Sequence, residues 1–231
     1  MRVSIILSTL LLSQASIAFG TYTVPILSNG EFLCNGAIIH NAYIVTTARC
    51  VAGAKQSQLI VRAGAEDCNK GDGVKTEVSK IITHKKFNES SHEYDIAILK
   101  LKGCLAISTS NIDVIPISEK RTSDEKCLLT GWIYSKSVPV HGSLQLKSVN
   151  VYRRSECERV AEVNITKRMF CAAGIANEKC IDFATGSPLV VQGKLVGIKC
   201  FGFQCNQNRP DVFTNVAVFG KFIRKVIKRL S

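Results

Sequence analysis

The chain has 231 residues, 46% of them hydrophobic and 21% charged, with ten cysteines and a net charge of +12. That length suits one large all-β domain or two small ones, and the composition is too apolar for a disordered chain. The basic excess favours anionic partners such as sulfated glycans, acidic lipid or acidic proteins; nucleic acid is not expected, because no recognisable nucleic-acid module is present.

Residues 1–20 read as a signal peptide. Arg2 supplies the positive start, Val3 to Leu12 is apolar apart from Ser4, Ser8 and Thr9, and Ser16-Ile17-Ala18 or Ala18-Phe19-Gly20 offers small residues for cleavage. The run is far short of the ~20 apolar residues of a membrane span, so no transmembrane segment is expected. Arg2 is the only charged residue in this leader, so residues 21–231 carry +11. Cysteines in an exported chain read as disulfides. A metal site is not expected: no CxxC pair occurs, and His40, His84, His92 and His141 do not cluster with the cysteines. No cofactor is expected either.

Short β-like runs separated by turn signals predict a barrel or sandwich. In chain order they are Thr23–Ser28, Ala37–Ile39, Tyr43–Thr47, Leu59–Arg62, Val78–His84 and Asp95–Leu101, then Cys127–Gly131, Leu144–Val151, Met169–Ala172, Leu189–Val191, Leu195–Cys200 and Val212–Val216. The C-terminus has a different period. Phe219, Phe222, Ile223, Val226, Ile227 and Leu230 recur at steps of three and four, and Lys221, Arg224, Lys225, Lys228 and Arg229 fill the other face. This predicts an amphipathic helix docked on the domain; its basic face is either simply solvated or a site for polyanions or membrane surfaces.

Five segments, in order, resemble the chymotrypsin/trypsin-like serine protease family. They are Phe32-Leu33-Cys34-Asn35-Gly36-Ala37-Ile38-Ile39, Thr46-Thr47-Ala48-Arg49-Cys50, Tyr94-Asp95-Ile96-Ala97-Ile98-Leu99-Lys100-Leu101, Cys127-Leu128-Leu129-Thr130-Gly131-Trp132 and Arg209-Pro210-Asp211-Val212-Phe213-Thr214-Asn215-Val216. The resemblance covers residues from about Thr23 to the end. It implies an all-β fold of two antiparallel six-stranded β-barrels with a C-terminal α-helix, spanning 21–231 as one trypsin-like domain. It also implies disulfides Cys34–Cys50, Cys157–Cys171 and Cys180–Cys205. Cys127 lacks its usual partner, because Val191 stands there. Of the four cysteines left, Cys68–Cys104 is the favoured pair, and Cys127 and Cys200 either pair or stay free.

The family's chemistry needs a serine nucleophile, a histidine that takes its proton, and a buried aspartate that fixes the imidazole. Asp95 stands at the aspartate position, but Arg49 stands where the histidine belongs. Arginine has five N–H donors and no acceptor, so it cannot take a proton. The nucleophile segment, Cys180-Ile181-Asp182-Phe183-Ala184-Thr185-Gly186-Ser187-Pro188, is one residue longer than the family spacing. Anchored on Pro188, it puts Thr185 at the nucleophile, Ala184 at the preceding aspartate and Phe183 at the oxyanion-hole glycine. Anchored on Cys180, it puts Ala184 at the nucleophile and Asp182 at that glycine. The first is preferred because Gly186 then matches the family glycine. The family's Ile-Val-Gly-Gly activation segment is also missing, together with its partner aspartate. Arg49 and Asp95 are expected to form a charge-assisted pair.

Glu178 falls at the base of the family's specificity pocket, where the resemblance implies that an acid selects basic side chains, and Asp211 falls on the opposite wall. The competing reading is a closed pocket, with Lys179 neutralising Glu178 and with Phe183 and Phe201 nearby. Asn88-Glu89-Ser90 and Asn164-Ile165-Thr166 are N-glycosylation acceptors. The expectation is a secreted, monomeric, catalytically inactive homologue that binds extracellular proteases, inhibitors or peptides. The alternatives are a cationic binder of anionic glycans or membrane surfaces, and an active endopeptidase with a degenerate site.

Overall fold

The computed structural model describes residues 21–107, 111–120, 126–133, 142–161, 163–174, 182–202 and 209–230. The proposed leader, His141, Glu178, Lys179, Cys180 and Cys205 lie outside the described residues.

Twelve strands close into two six-stranded antiparallel barrels. The first holds β1 (Thr23–Ser28), β2 (Glu31–His40), β3 (Tyr43–Thr46), β4 (Leu59–Ala63), β5 (Val74–Thr83) and β6 (Ala97–Leu101), in the order β1-β2-β3-β6-β5-β4. The second holds β7 (Lys126–Gly131), β8 (Gln145–Val151), β9 (Met169–Gly174), β10 (Pro188–Val191), β11 (Lys194–Phe201) and β12 (Asp211–Asn215), in the order β10-β11-β12-β9-β8-β7. Helices α1 (Ala48–Val51), α2 (Arg154–Ala161) and α3 (Gly220–Leu230) lie between or after the strands.

Alternation along β6 builds two cores at once, because successive side chains point to opposite faces. Ala97, Leu99 and Leu101 pack with the core that includes Ile26, Ile38 and Val61. Ile96 and Ile98 join Val216, Phe219, Ile223 and Val226 under α3. Lys100 then reaches over the Tyr43 ring and donates to the Leu230 carbonyl, which places a cation at the negative end of the helix. The apolar face of α3 is therefore consumed by docking, and Lys221, Arg224, Lys225, Lys228 and Arg229 remain exposed.

Cys34–Cys50 and Cys157–Cys171 are bonded. With a separation of 16 residues, closing the first loop contributes about 3 kcal/mol in the chain-entropy account. The expected Cys68–Cys104 bond is not formed. After β4 the chain turns toward the second barrel, so that Cys68 packs with Ala65 and Trp132 and its amide bonds the Gly142 carbonyl. Cys104 instead leaves β6 beside the β2–β3 turn, where Leu105 bonds Asn41, and it is exposed. Cys127 and Cys200 are not disulfide-bonded to each other.

The barrels meet along a polar seam. Thr23 Oγ1 lies 2.7 Å from Thr130 Oγ1. Asn35, fully buried, donates Nδ2 to the Trp132 carbonyl (3.0 Å) and to Ser187 Oγ (2.7 Å), and its Oδ1 accepts the Trp132 amide (3.3 Å). Gly186, at φ +84, lies so close below Asn35 that a Cβ would sit 1.9 Å from the Asn35 carbonyl oxygen. An unsatisfied buried polar group costs about 1–3 kcal/mol. Asn35→Ala is therefore expected to lower unfolding free energy by roughly 2 kcal/mol in a denaturant titration, and Gly186→Ala by more. No change in either variant would show that the seam does not hold the barrels together.

Candidate functional site

The residues singled out by sequence converge at this seam from both barrels. Asp95 precedes β6, and its side chain is 0% exposed. Its Oδ1 accepts the Arg49 amide at 2.8 Å, its Oδ2 lies 3.3 Å from Arg49 Nε, and the Cys200 thiol donates to Oδ2 at 2.9 Å. Thr214 Oγ1 holds the Asp95 carbonyl at 2.9 Å. Burial pushes the Asp95 carboxyl above its ordinary range; the Cys200 hydrogen bond and the Arg49 amide and charge pull the other way. Burial and the Asp95 charge together push the Cys200 thiol well above its ordinary value, so Cys200 acts as a neutral donor, not a thiolate.

Arg49 projects from α1 and is 21% exposed. The expected pair with Asp95 is present as an ion pair; the Nε–H is not aligned for a hydrogen bond. Nη2 contacts His92 Nδ1, and Cζ stands 5.7 Å from the Phe201 ring centroid. His92 in turn packs on Phe201 at 4.4 Å. Sequence reading gave His92 no role. Its position three residues before Asp95 was the available signal, but the contact with Arg49 spans 43 residues of chain and depends on folding. The other described histidines are occupied elsewhere: His40 Nδ1 accepts the Ala42 amide, and His84 packs among Tyr94, Phe219 and Phe222.

The loop before β10 is fixed from both sides. Ala184 is buried and donates its amide to the Trp132 carbonyl at 3.0 Å. The Thr185 carbonyl accepts the Asn35 amide at 2.8 Å, and the Gly186 amide bonds the Lys199 carbonyl at 2.8 Å. Thr185 is half-buried and lines a cavity of 290 Å³ with Leu33, Asp182, Phe183, Ala184, Lys199, Phe201 and Gly202. Among the described residues, no histidine nitrogen lies within hydrogen-bond reach of its hydroxyl. Ser187 is the serine next to this loop, but it is fully buried and donates Oγ to the Ala184 carbonyl at 2.6 Å. Phe183 is sunk in the second-barrel core with Phe170, Leu189 and Phe213.

On the same side, Asp211 is bound to a residue that sequence reading overlooked. Lys199 Nζ lies 2.9 Å from Asp211 Oδ2 and 2.9 Å from Asp182 Oδ1, with the lysine side chain 3% exposed. A lysine in the apolar run Leu195–Cys200 was the visible signal. Beyond Phe201, a second cavity of 310 Å³ is lined by Ser90, Ser91, His92, Glu93, Val163, Asn164, Thr166, Met169 and Phe201. Its wall is tied by the Arg168–Glu93 ion pair, with Arg168 stacked 4.4 Å over Tyr94. Asn88 and Asn164, the two acceptor asparagines, are both exposed. Among the described residues, no group of three or more His, Cys, Asp or Glu could hold a metal, and no helix is long and apolar enough to cross a membrane.

Burial and the Arg49 charge push His92 below its ordinary value of 6.5, and burial does the same for His84. The unfolded chain therefore takes up protons before the folded one as pH falls. The contribution of these two histidines to stability is complete above pH 6.5 and is lost as pH falls from there through the folded values. Melting curves at stepwise lower pH should show that loss, and His92→Asn should remove part of it. An unchanged pH profile in the variant would mean that His92 is protonated equally well in both states.

The trypsin family model matches residues 13–223. The chain is similar to the trypsin Blo t 3 of Blomia tropicalis, at 28% identity over 92% of this chain and 83% of the relative. It is 30% identical to trypsin beta of Drosophila erecta, over 85% of this chain and 79% of the relative. Among solved structures it resembles mouse neuropsin, a serine protease, with a TM-score of 0.79 at 23% identity over 90% of this chain and 95% of that one. It also resembles a scabies mite inactivated protease paralogue, with a TM-score of 0.81 at 22% identity over 90% and 92%. A family match over most of the chain, on two six-stranded barrels with the motif positions gathered at their seam, makes this protein a member of the trypsin family of serine protease folds.

Proposed function

We propose that this is a secreted trypsin-family protein that does not hydrolyse peptide bonds and acts by binding extracellular proteins, as a partner or regulator in proteolysis. The observation that carries this reading is the guanidinium of Arg49 lodged against Asp95, in the place where a proton acceptor would have to stand. A serine or threonine hydroxyl attacks only with an adjacent base, and loss of the histidine alone costs about 10⁶ in turnover in a serine protease. The fold likeness to proteins described as inactivated protease paralogues agrees with this reading. Export is supported by the apolar N-terminal run and by the two disulfides. The His92–Phe201 cavity, beside the one that Thr185 lines, is open to a partner, and a glycan on Asn164 would stand on its rim.

Purified protein is expected to leave fluorogenic Arg and Lys peptide substrates uncut. The double variant Arg49→His with Thr185→Ser should stay inactive, because Phe183 and Lys199 remain. Turnover by the natural protein that disappears in Thr185→Ala would sink the proposal and favour an endopeptidase with a degenerate site.

A second reading rests on a separate observation. Helix α3 presents Lys221, Arg224, Lys225, Lys228 and Arg229 to solvent, and the acid paired with this face, Glu119, lies 3.9 Å from Arg224 in an exposed contact of little strength. Such a face suits a sulfated glycan. Retention on heparin should fall as salt rises, and should be largely lost when all five side chains are neutralised. Equal retention of the neutralised variant would place the basic site elsewhere.

A further inference from the structure

The Lys199 ammonium is a cation taken almost wholly out of water. Its backbone is pinned: the amide donates to the Ser187 carbonyl and the carbonyl accepts the Gly186 amide, both at 2.8 Å. Its side chain therefore has a fixed origin, and it reaches Asp182 and Asp211 at 2.9 Å each. An ammonium has three donors and no acceptor, so two carboxylates make a matched receptor for it. Asp182 and Lys199 line the same cavity as Thr185. Gly202 closes over the pair: a Cβ there would lie 1.8 Å from Asp211 Oδ1 and 3.1 Å from Lys199 Nζ. On the other side Asp182 and Asp211 border a shallow cavity together with Arg209 and Lys147. Burial pushes the Asp211 carboxyl up, and the Lys199 charge draws it back down.

We propose that Lys199 is a built-in ligand: its side chain fills a cation pocket made by Asp182 and Asp211, and a partner's lysine or arginine side chain is excluded from that pocket while Lys199 is present. The pocket keeps the chemistry of a receptor for a primary ammonium, and a partner engages the cleft on the His92–Phe201 side instead. This goes beyond the binding role proposed above and does not require it, because pocket occupancy and peptide hydrolysis are measured separately.

The test is chemical rescue. Lys199→Ala removes three carbons and the ammonium nitrogen, which are the atoms of n-propylammonium. Melting temperatures of the natural protein and of the variant are followed as n-propylammonium chloride is titrated, against tetramethylammonium chloride at equal ionic strength. The natural protein is expected to respond equally to the two salts. The variant should melt lower, and n-propylammonium should raise its melting temperature saturably by at least ~3 °C while tetramethylammonium, which has no N–H, does not. If Lys199→Ala yields no folded protein, the same titration is run on Lys199→Ala with Asp182→Asn, which halves the unpaired charge. A folded variant that does not distinguish the two cations, or a natural protein that is raised as much as the variant, overturns the proposal.

Discussion

A carboxylate buried where two barrels meet must be matched by charge or by donors, since removing an ion from water costs several kcal/mol even after relaxation. Asp95 is that carboxylate, and much of the cleft follows from how its demand is met. A permanent cation, a buried thiol and a backbone amide satisfy it together. Once Arg49 is committed to Asp95, its far end has a fixed position, and His92 and Phe201 pack on it. An electrostatic requirement of the fold thus becomes the wall of a cavity.

The same logic operates a few ångströms along β11. Successive strand residues point to opposite faces. Cys200 faces Asp95, and Lys199 faces the Asp182–Asp211 pair. Phe201 follows and borders both cavities. Three consecutive residues therefore serve two charged centres and the partition between them. Each cation is met by acids at close range: Arg49 answers one, and Lys199 is shared between two. Each is a buried or half-buried pair whose members hold one another in place, so losing one partner is more harmful than losing both.

Sequence made the barrels readable because one-sided burial imposes alternation or apolar runs, and each of the twelve proposed runs overlaps a strand. Boundaries were less visible. β5 begins at Val74, four residues before its apolar part, because Lys75 and Glu77 sit on an exposed face. β2 begins at Glu31, six residues before its predicted run: Cys34, Asn35 and Gly36 are buried there, but Asn and Gly are depleted in strands and hid the element. Helix α2 left no periodic signal: it buries only Cys157 and Ala161, one bonded and the other small. Arg49, Asp95 and the Thr185 loop were visible through local motifs. His92 and Lys199 were not, since their roles arise from contacts between residues far apart in the chain. The favoured Cys68–Cys104 pair failed because the loop after β4 carries Cys68 to Trp132 and Gly142, while Cys104 leaves β6 beside the β2–β3 turn.

Satisfying polar groups and keeping them reactive are opposed demands. A nucleophile needs an uncommitted lone pair and a base beside it; a stable seam needs every buried donor and acceptor engaged. In this chain the second demand dominates. The Ser187 hydroxyl is tied to the Ala184 carbonyl, and the Cys200 thiol is tied to Asp95 and held protonated. Among the described residues, Thr185 lines an open cavity, and no described histidine nitrogen stands within reach of its hydroxyl. Restoring an imidazole at position 49 would supply one missing part. It would also remove the cation that answers Asp95 and supports His92, while the Lys199 centre and the buried Phe183 stayed as they are. On the binding role proposed above, the site meets its buried charge with committed partners: Asn35 ties Ser187 across the seam, and Cys200 ties Asp95.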